Sequence, residues 1–269
     1  MEPMEPIKYA PLFSGSSGNC AFLRAGELRL LIDAGLPLCN IEQALESIGE
    51  STRDVDALLI THEHTDHIRG LGALCRRYRL PVYANAPTWE AMGESPGRLP
   101  PNCVRIFESG RPFFLKGVSI HPFPVPHDAA QAVGFRLDCP AGSFAQATDV
   151  GYVDDRLIDV LSGCALVMLE ANHDEDMLRA GPYPYPLKRR ILSDQGHLSN
   201  EAAGRALVRL FGRGVKSAIL GHLSLENNYA PLALETVRSL LREENILEGE
   251  LTLTVALRDR PTGVFEVCG

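Results

Sequence analysis

The segment "LLITHEHTDHIRG" (58–70) limits what this chain can be more than any other stretch. It places His62, His64, Asp66 and His67 directly after the apolar run "VDALLI" (55–60), which reads as a buried strand. In extended backbone, alternate side chains point the same way. His62 and His64 can therefore converge on one ion, while Asp66 and His67, beyond a bend, face a second ion nearby. Imidazole nitrogen and carboxylate oxygen are ligands for zinc, manganese or iron. The chain has only 8 histidines in 269 residues, so three of them within 62–67 are no accident of composition.

Other candidate ligands sit where strands are expected to end. His127 follows a strand in "PVPHDA", Asp149 ends "GSFAQATD", and His222 ends "VKSAILGH". Together with the cluster they make seven ligands, enough for two metal ions. His121 matches no such position and is expected to be structural.

Strands are expected at 7–13, 20–25 and 28–34, with "SGSSGN" (14–19) as the first turn. That turn could cradle a phosphate through its amides; support for the metal loop is the simpler role. Helices are expected at 40–49, in "IRGLGALCRRYRL" (68–80) and in "PTWEAMGES" (87–95). Residues 103–149 read mostly as strands, and the last third alternates helix and strand. The order is not a regular βαβ alternation, and neither a G-x-G-x-x-G nor a P-loop occurs, which argues against a barrel or Rossmann fold. No linker, repeat or low-complexity tract divides the chain, so one domain over 1–269 is expected.

Composition narrows the setting. The 7 cysteines are odd in number, widely spaced and free of C-x-x-C, as expected of free thiols in a reducing compartment. The N-terminal "MEPMEPIKYAPL" lacks the basic and apolar regions of a signal peptide. No run approaches the roughly 18 apolar residues of a membrane span. A cytoplasmic protein without membrane contact or an obligate protein partner is expected. The net charge of −8 does not suit a general polyanion binder, although bound cations would offset clustered carboxylates. "RRYR" (76–79) and "KRR" (188–190) are local basic patches that also suit solvated helix faces.

"THEHTDH" resembles the H-x-H-x-D-H signature of the metallo-β-lactamase fold superfamily, and Asp33 before it and His127, Asp149 and His222 after it occur in that family's order. The resemblance implies an α/β fold: a four-layer αβ/βα sandwich of two mixed β-sheets flanked by helices, with a dinuclear site at one edge. It implies that His62, His64 and His127 hold one divalent ion, that Asp66, His67 and His222 hold the other, and that Asp149 bridges. Asp33 would orient the cluster through hydrogen bonds.

"LEANHDEDML" (169–178) and "SDQGHLSNEAAGRAL" (193–207) add Glu170, His173 and His197, more proton-carrying groups than metal binding needs. Ser199 reads as a helix N-cap with free N–H groups that would suit a phosphate. The two segments resemble those that assist phosphodiester cleavage in tRNA 3′-processing endonucleases of the superfamily. A resemblance over nearly the whole chain, carried by "SGSSGN", "THEHTDHIRG", "EANHDEDMLRAGPYP", "LKRRILSDQGHLSN" and "HLSLENN", is to the YycJ/WalJ subfamily. It implies a metal-dependent DNA exonuclease acting 5′ to 3′, linked to DNA repair, that uses hydroxide held between two metals.

On that reading Asp66, Glu170, His173 and His197 are catalytic, with Glu170 and His173 at the leaving oxygen. Lys188, Arg189, Arg190 and Ser199 contact DNA. Tyr183 and Tyr185 either stack on a base or form a rigid Pro-rich loop. The alternative is a phosphodiesterase for small cyclic or nucleotide-like substrates, which would share every metal ligand. A non-catalytic binding module fits less well, because a structural metal site needs about four ligands and one ion.

Overall fold

Alternation along the strands sets the layering of the chain. The computed structural model describes residues 5–267, so residues 1–4 and the seventh cysteine, Cys268, lie outside the described residues. Its strands are β1 (Ile7–Phe13), β2 (Cys20–Ala25), β3 (Leu28–Ile32), β4 (Ala57–Leu59), β5 (Val82–Asn85), β6 (Val104–Phe107), β7 (Phe113–Leu115), β8 (Val118–Pro124), β9 (Val133–Cys139), β10 (Gly142–Ala147), β11 (Leu166–Glu170), β12 (Ser217–Gly221), β13 (Thr252–Val255) and β14 (Phe265–Val267). They form two seven-stranded sheets, ordered β14-β1-β2-β3-β4-β5-β6 and β13-β12-β11-β10-β9-β8-β7. Both sheets are mixed, with antiparallel pairs such as β1–β2 and parallel pairs such as β3–β4 and β10–β11.

Side chains from the two sheets meet in one central layer. Tyr9, Leu23, Leu30, Ile32 and Leu59 of the first sheet pack with Phe135, Leu137, Phe144, Leu166 and Met168 of the second. Their neighbours in sequence point outward, as the strand period of two requires. Ala10, Phe22, Leu31 and Leu58 meet Leu45 of α1 (Leu38–Ser47), while α2 (Thr65–Ile68), α3 (Leu71–Tyr78) and α4 (Ala86–Met92) bring Ile68, Leu74 and Met92. On the far side, Ala145, Val167 and Leu169 meet Ile158 of α5 (Asp155–Leu161). After α6 (Glu175–Ala180) and α7 (Tyr185–Ile191), α8 (Asn200–Phe211) and α9 (Ala230–Glu243) add Leu207 and Val237 to that layer. The result is helix, sheet, sheet, helix, the expected sandwich.

Local expectations fared unevenly. β1 and β2 match their expected spans residue for residue. The single helix expected over 68–80 is two, α2 and α3, separated at Arg69 and Gly70. Helix α7 and the strands β13 and β14 were not expected. The six cysteines among the described residues are free thiols, as expected. No helix among the described residues is long and apolar enough to cross a membrane.

Candidate metal centre

The site forms where strands of both sheets end. β3, β10 and β12 are followed at or just past their ends by Asp33, Asp149 and His222, which have φ of 61°, 58° and 55°. Few non-glycine residues adopt this left-handed backbone. Here it turns the chain sharply so that the side chain faces the sheet edge. After β4, residues 61–64 run irregular and extended, and α2 begins at Thr65. His62 and His64 therefore come from the extended stretch, while Asp66 and His67 come from the first helical turn.

The imidazoles of His62, His67, His127 and His222 are each held by Nδ1. His67 Nδ1 donates to Asp33 Oδ2 at 2.9 Å. His62 Nδ1 lies 3.0 Å from Thr61 Oγ1, whose hydroxyl is 2.9 Å from Asp33 Oδ2. One carboxylate therefore orients two candidate ligands, His67 directly and His62 through Thr61. His127 Nδ1 is tied to the Gly196 carbonyl at 3.2 Å, and His222 Nδ1 to Glu170 Oε1 at 2.7 Å. Asp149 lies between, with Oδ2 3.3 Å from His67 Nε2 and Oδ1 3.7 Å from His127 Nε2.

The residues fit bound metal. The Nε2 atoms of His62, His127 and His222 and Oδ2 of Asp149 are buried without a hydrogen-bond partner. Leaving such atoms unpaired costs about 1–3 kcal/mol each, so a ligand for them is expected. The sets His62/His64/His127, His62/His67/Asp149 and Asp66/His67/His222 each gather ligand atoms within 4.8 Å of one another. Atoms at roughly 2.0–2.3 Å from a common zinc ion have similar spacing.

Electrostatics separate the histidines. Burial holds His62 well below its usual value, and it also lowers His127. Burial alone would lower His67 too, but Asp33 and Asp149 outweigh it and lift His67 to about 10. His197 behaves alike: against its burial, the charge and hydrogen bond of Glu170 raise it to about 9. Its Nδ1 is 2.8 Å from Glu170 Oε1, which leaves Nε2 to the cleft. That cleft has a volume of about 250 Å³, with His197, Asp149 and His222 among its lining and Tyr183, Leu187 and Arg190 along one wall.

Four expectations need correction. Glu170 is fully buried, and besides the two histidines it accepts the amides of Val150 and Leu198, so its oxygens are engaged and it cannot reach a leaving oxygen. His173 is 1% exposed and is not among the residues lining the cleft. Burial lowers it to about 4, so it carries no proton to give near neutrality. Ser199 caps α8 by accepting from Ala202, and the Asn200 amide donates to the His173 carbonyl, so these two N–H groups are not free for a phosphate. Of the "KRR" patch only Arg190 lines the cleft. Lys188 donates to the Arg179 carbonyl at 2.7 Å, and Arg189 lies over the Tyr185 ring.

Sequence reasoning left some support residues unread. Asn19 of the "SGSSGN" turn reaches His67 Nε2 at 3.0 Å, and its amide donates to the Asp66 carbonyl at 2.8 Å. Ser14 Oγ of the same turn accepts the His222 amide at 2.8 Å. The turn thus braces the metal loop, the simpler of its two expected roles. Asp128, next to His127, pairs with Arg190 across 62 positions, a distance at which no local pattern signals contact.

The sequence matches the beta-lactamase superfamily domain over residues 28–223. The chain belongs to the metallo-β-lactamase superfamily. This member is 43% identical over 242 residues to "Exodeoxyribonuclease WalJ" of Streptococcus pneumoniae serotype 2 (strain D39 / NCTC 7466), covering 89% of this chain and 90% of that protein. It is 41% identical over 244 residues to "Exodeoxyribonuclease YycJ" of Bacillus anthracis, covering 91% and 92%. Among solved structures it resembles the metallo-β-lactamase fold protein YhfI from Bacillus subtilis, with a TM-score of 0.73 at 17% identity over 97% of this chain and 100% of that one. That last likeness bears on the fold alone.

Proposed function

We propose that this chain is a metal-dependent exonuclease that hydrolyses phosphodiester bonds of DNA, with 5′-to-3′ polarity. One observation carries the reading: His and Asp clusters that could hold metal reach the same cleft as His197, in a chain 43% identical to an exodeoxyribonuclease.

His62, His64 and His127 would hold one divalent ion, and Asp66, His67 and His222 the other, with Asp149 shared. Two bound cations, zinc, manganese or iron, would make a water acidic and offset charge on the phosphate. Asp33 and Glu170 keep the histidine ligands in register from behind. His197, held charged by Glu170, presents an N–H to the phosphate oxygens and carries a proton that the leaving oxygen can take. Glu170 therefore acts through His197 and His222 and does not touch the substrate. Arg190 offers a guanidinium to the DNA backbone.

The test is degradation of end-labelled linear duplex DNA with Mn²⁺, beside an Asp66→Ala/His67→Ala variant. Loss of label progressing from 5′ ends, absent in the variant, is the expected result. Intact DNA together with hydrolysis of a small chromogenic phosphodiester would replace this reading with the small-substrate phosphodiesterase.

A further inference from the structure

Asp128 has two oxygens with two different neighbours. Oδ2 takes the Nε–H of Arg190. Oδ1 is buried, has no hydrogen-bond partner, and lies 3.4 Å from Nε2 of His127. The Asp128 amide donates to the Gln195 carbonyl at 3.1 Å, which ties this residue to the turn that follows α7, the helix that carries Arg190. The Arg190 side chain is 56% exposed, and its terminal nitrogens donate to no protein group among the described residues. Arg190, which lines the cleft, thus keeps its outer N–H fork free while its inner nitrogen is anchored.

We infer that Asp128 is a positioning residue that holds Arg190 one carboxylate away from the metal-facing nitrogen of His127, and that the pair makes the site selective for a polynucleotide over a small phosphodiester. The inference rests on the DNA reading above and adds a specificity device to it. The guanidinium is held through Asp128 and is not among the candidate metal ligands, so the phosphate it would take is a neighbour of the one at the metals. A planar fork grips two phosphate oxygens, which a lysine cannot copy. Without Asp128 the long arginine side chain would sample many rotamers, and ordering it on binding would weaken the contact. A small diester has no second phosphate and gains nothing from the pair.

The experiment compares wild type, Arg190→Ala, Arg190→Lys, Asp128→Asn and the Asp128→Asn/Arg190→Ala double variant. Each is assayed on linear DNA and on a chromogenic phosphodiester, with bound metal counted and with affinity for a phosphorothioate oligonucleotide measured against salt. Arg190→Ala is expected to cut the ratio of DNA to small-diester activity at least tenfold, mostly through KM. It should also reduce the slope of log affinity against log salt by about one. Asp128→Asn should lower the same ratio with metal content intact, Arg190→Lys should not rescue it, and the double variant should be no worse than Arg190→Ala. Loss of metal from Asp128→Asn would make Asp128 a ligand and overturn the inference. So would additive losses, or an unchanged activity ratio. A wild type that leaves DNA intact would fail the nuclease reading and take this inference with it; unchanged ratios beside an active wild type would fail the inference alone.

Discussion

Glu170 and His222 are separated by 52 positions, yet Oε1 of one lies 2.7 Å from Nδ1 of the other. The same oxygen also receives His197 Nδ1 at 2.8 Å. One buried carboxylate thus sets the tautomer of a candidate metal ligand and the charge of a candidate acid. Asp33 does the matching work on the opposite side, for His67 directly and for His62 through Thr61. The two carboxylates explain why these imidazoles present Nε2 to the cleft.

Glu170→Gln keeps the shape but loses the charge and turns one of two accepting oxygens into a donor. Removing such an outer partner typically weakens metal binding about 10–100-fold. We expect that loss at the half of the site containing His222, measured by competition with a chromogenic chelator. Glu170→Ala strands four buried donors and should cost about 3–5 kcal/mol in urea unfolding, as for other broken buried pairs. Wild-type metal affinity in Glu170→Gln would show that the charge of Glu170 does not tune the site.

Asp33 tests backbone and charge separately. Its φ is 61°, a region asparagine tolerates better than alanine. Asp33→Asn should fold but bind metal about 10–100-fold more weakly, since His67 loses its charged anchor. Asp33→Ala should lose stability beyond that, by about 1–2 kcal/mol for the left-handed backbone. Equal unfolding midpoints for the two variants would remove the backbone from the explanation.

The metal-free chain should respond to pH through His67. Its folded value of about 10 lies above the ordinary 6.5, because Asp33 and Asp149 overcome the opposing effect of burial. A raised value stabilises the fold fully below pH 6.5, and that contribution disappears as pH rises through 10. His197, raised to about 9, acts in the same direction. The urea midpoint of chelator-treated protein should therefore fall between pH 7 and 10. Metal-loaded protein should show less of that fall, because a bound ion takes the place of the His67 proton. A flat or rising midpoint in the metal-free chain would contradict the charged His67–Asp33 pair.

The candidate ligands were legible because their signal is local. His62 to His67 sit in one hexapeptide, and His127, Asp149 and His222 each follow an apolar run. Strands β1 and β2 were legible for the same reason, with a glycine- and serine-rich turn between them. Helix α7 was hidden by "GPYPYP", which reads as a loop although Pro184 and Pro186 occupy its N-cap and first turn, where proline is tolerated. Strand β13 is short and half polar, so no apolar run announced it. The tasks of Glu170, Ser199 and Asp128 depend on partners that the fold delivers from elsewhere. A carboxylate near a histidine motif reads as catalytic until its hydrogen bonds can be counted.

Gly35 shows how tightly the "SGSSGN" turn is locked to the metal loop. A Cβ there would lie 1.7 Å from the Asp66 carbonyl oxygen and 2.6 Å from the Asn19 amide nitrogen. Both obstacles are backbone, so neither can swing away as a side chain would. Those atoms also hydrogen-bond each other at 2.8 Å, the contact that fixes Asp66 beside His67. Gly35→Ala should therefore exceed the roughly 1–3 kcal/mol of ordinary overpacking and should release metal from the Asp66/His67/His222 half. Gly49 is the control: its φ is +78° and nothing lies within 4 Å of its Cβ position. Gly49→Ala should cost only about 1–2 kcal/mol of backbone strain and leave metal binding as it was. Thermal unfolding with and without chelator, beside a metal count, separates the two. A Gly35→Ala protein that keeps its full metal complement would mean that Asp66 can be displaced without cost, and that the turn is not what holds it.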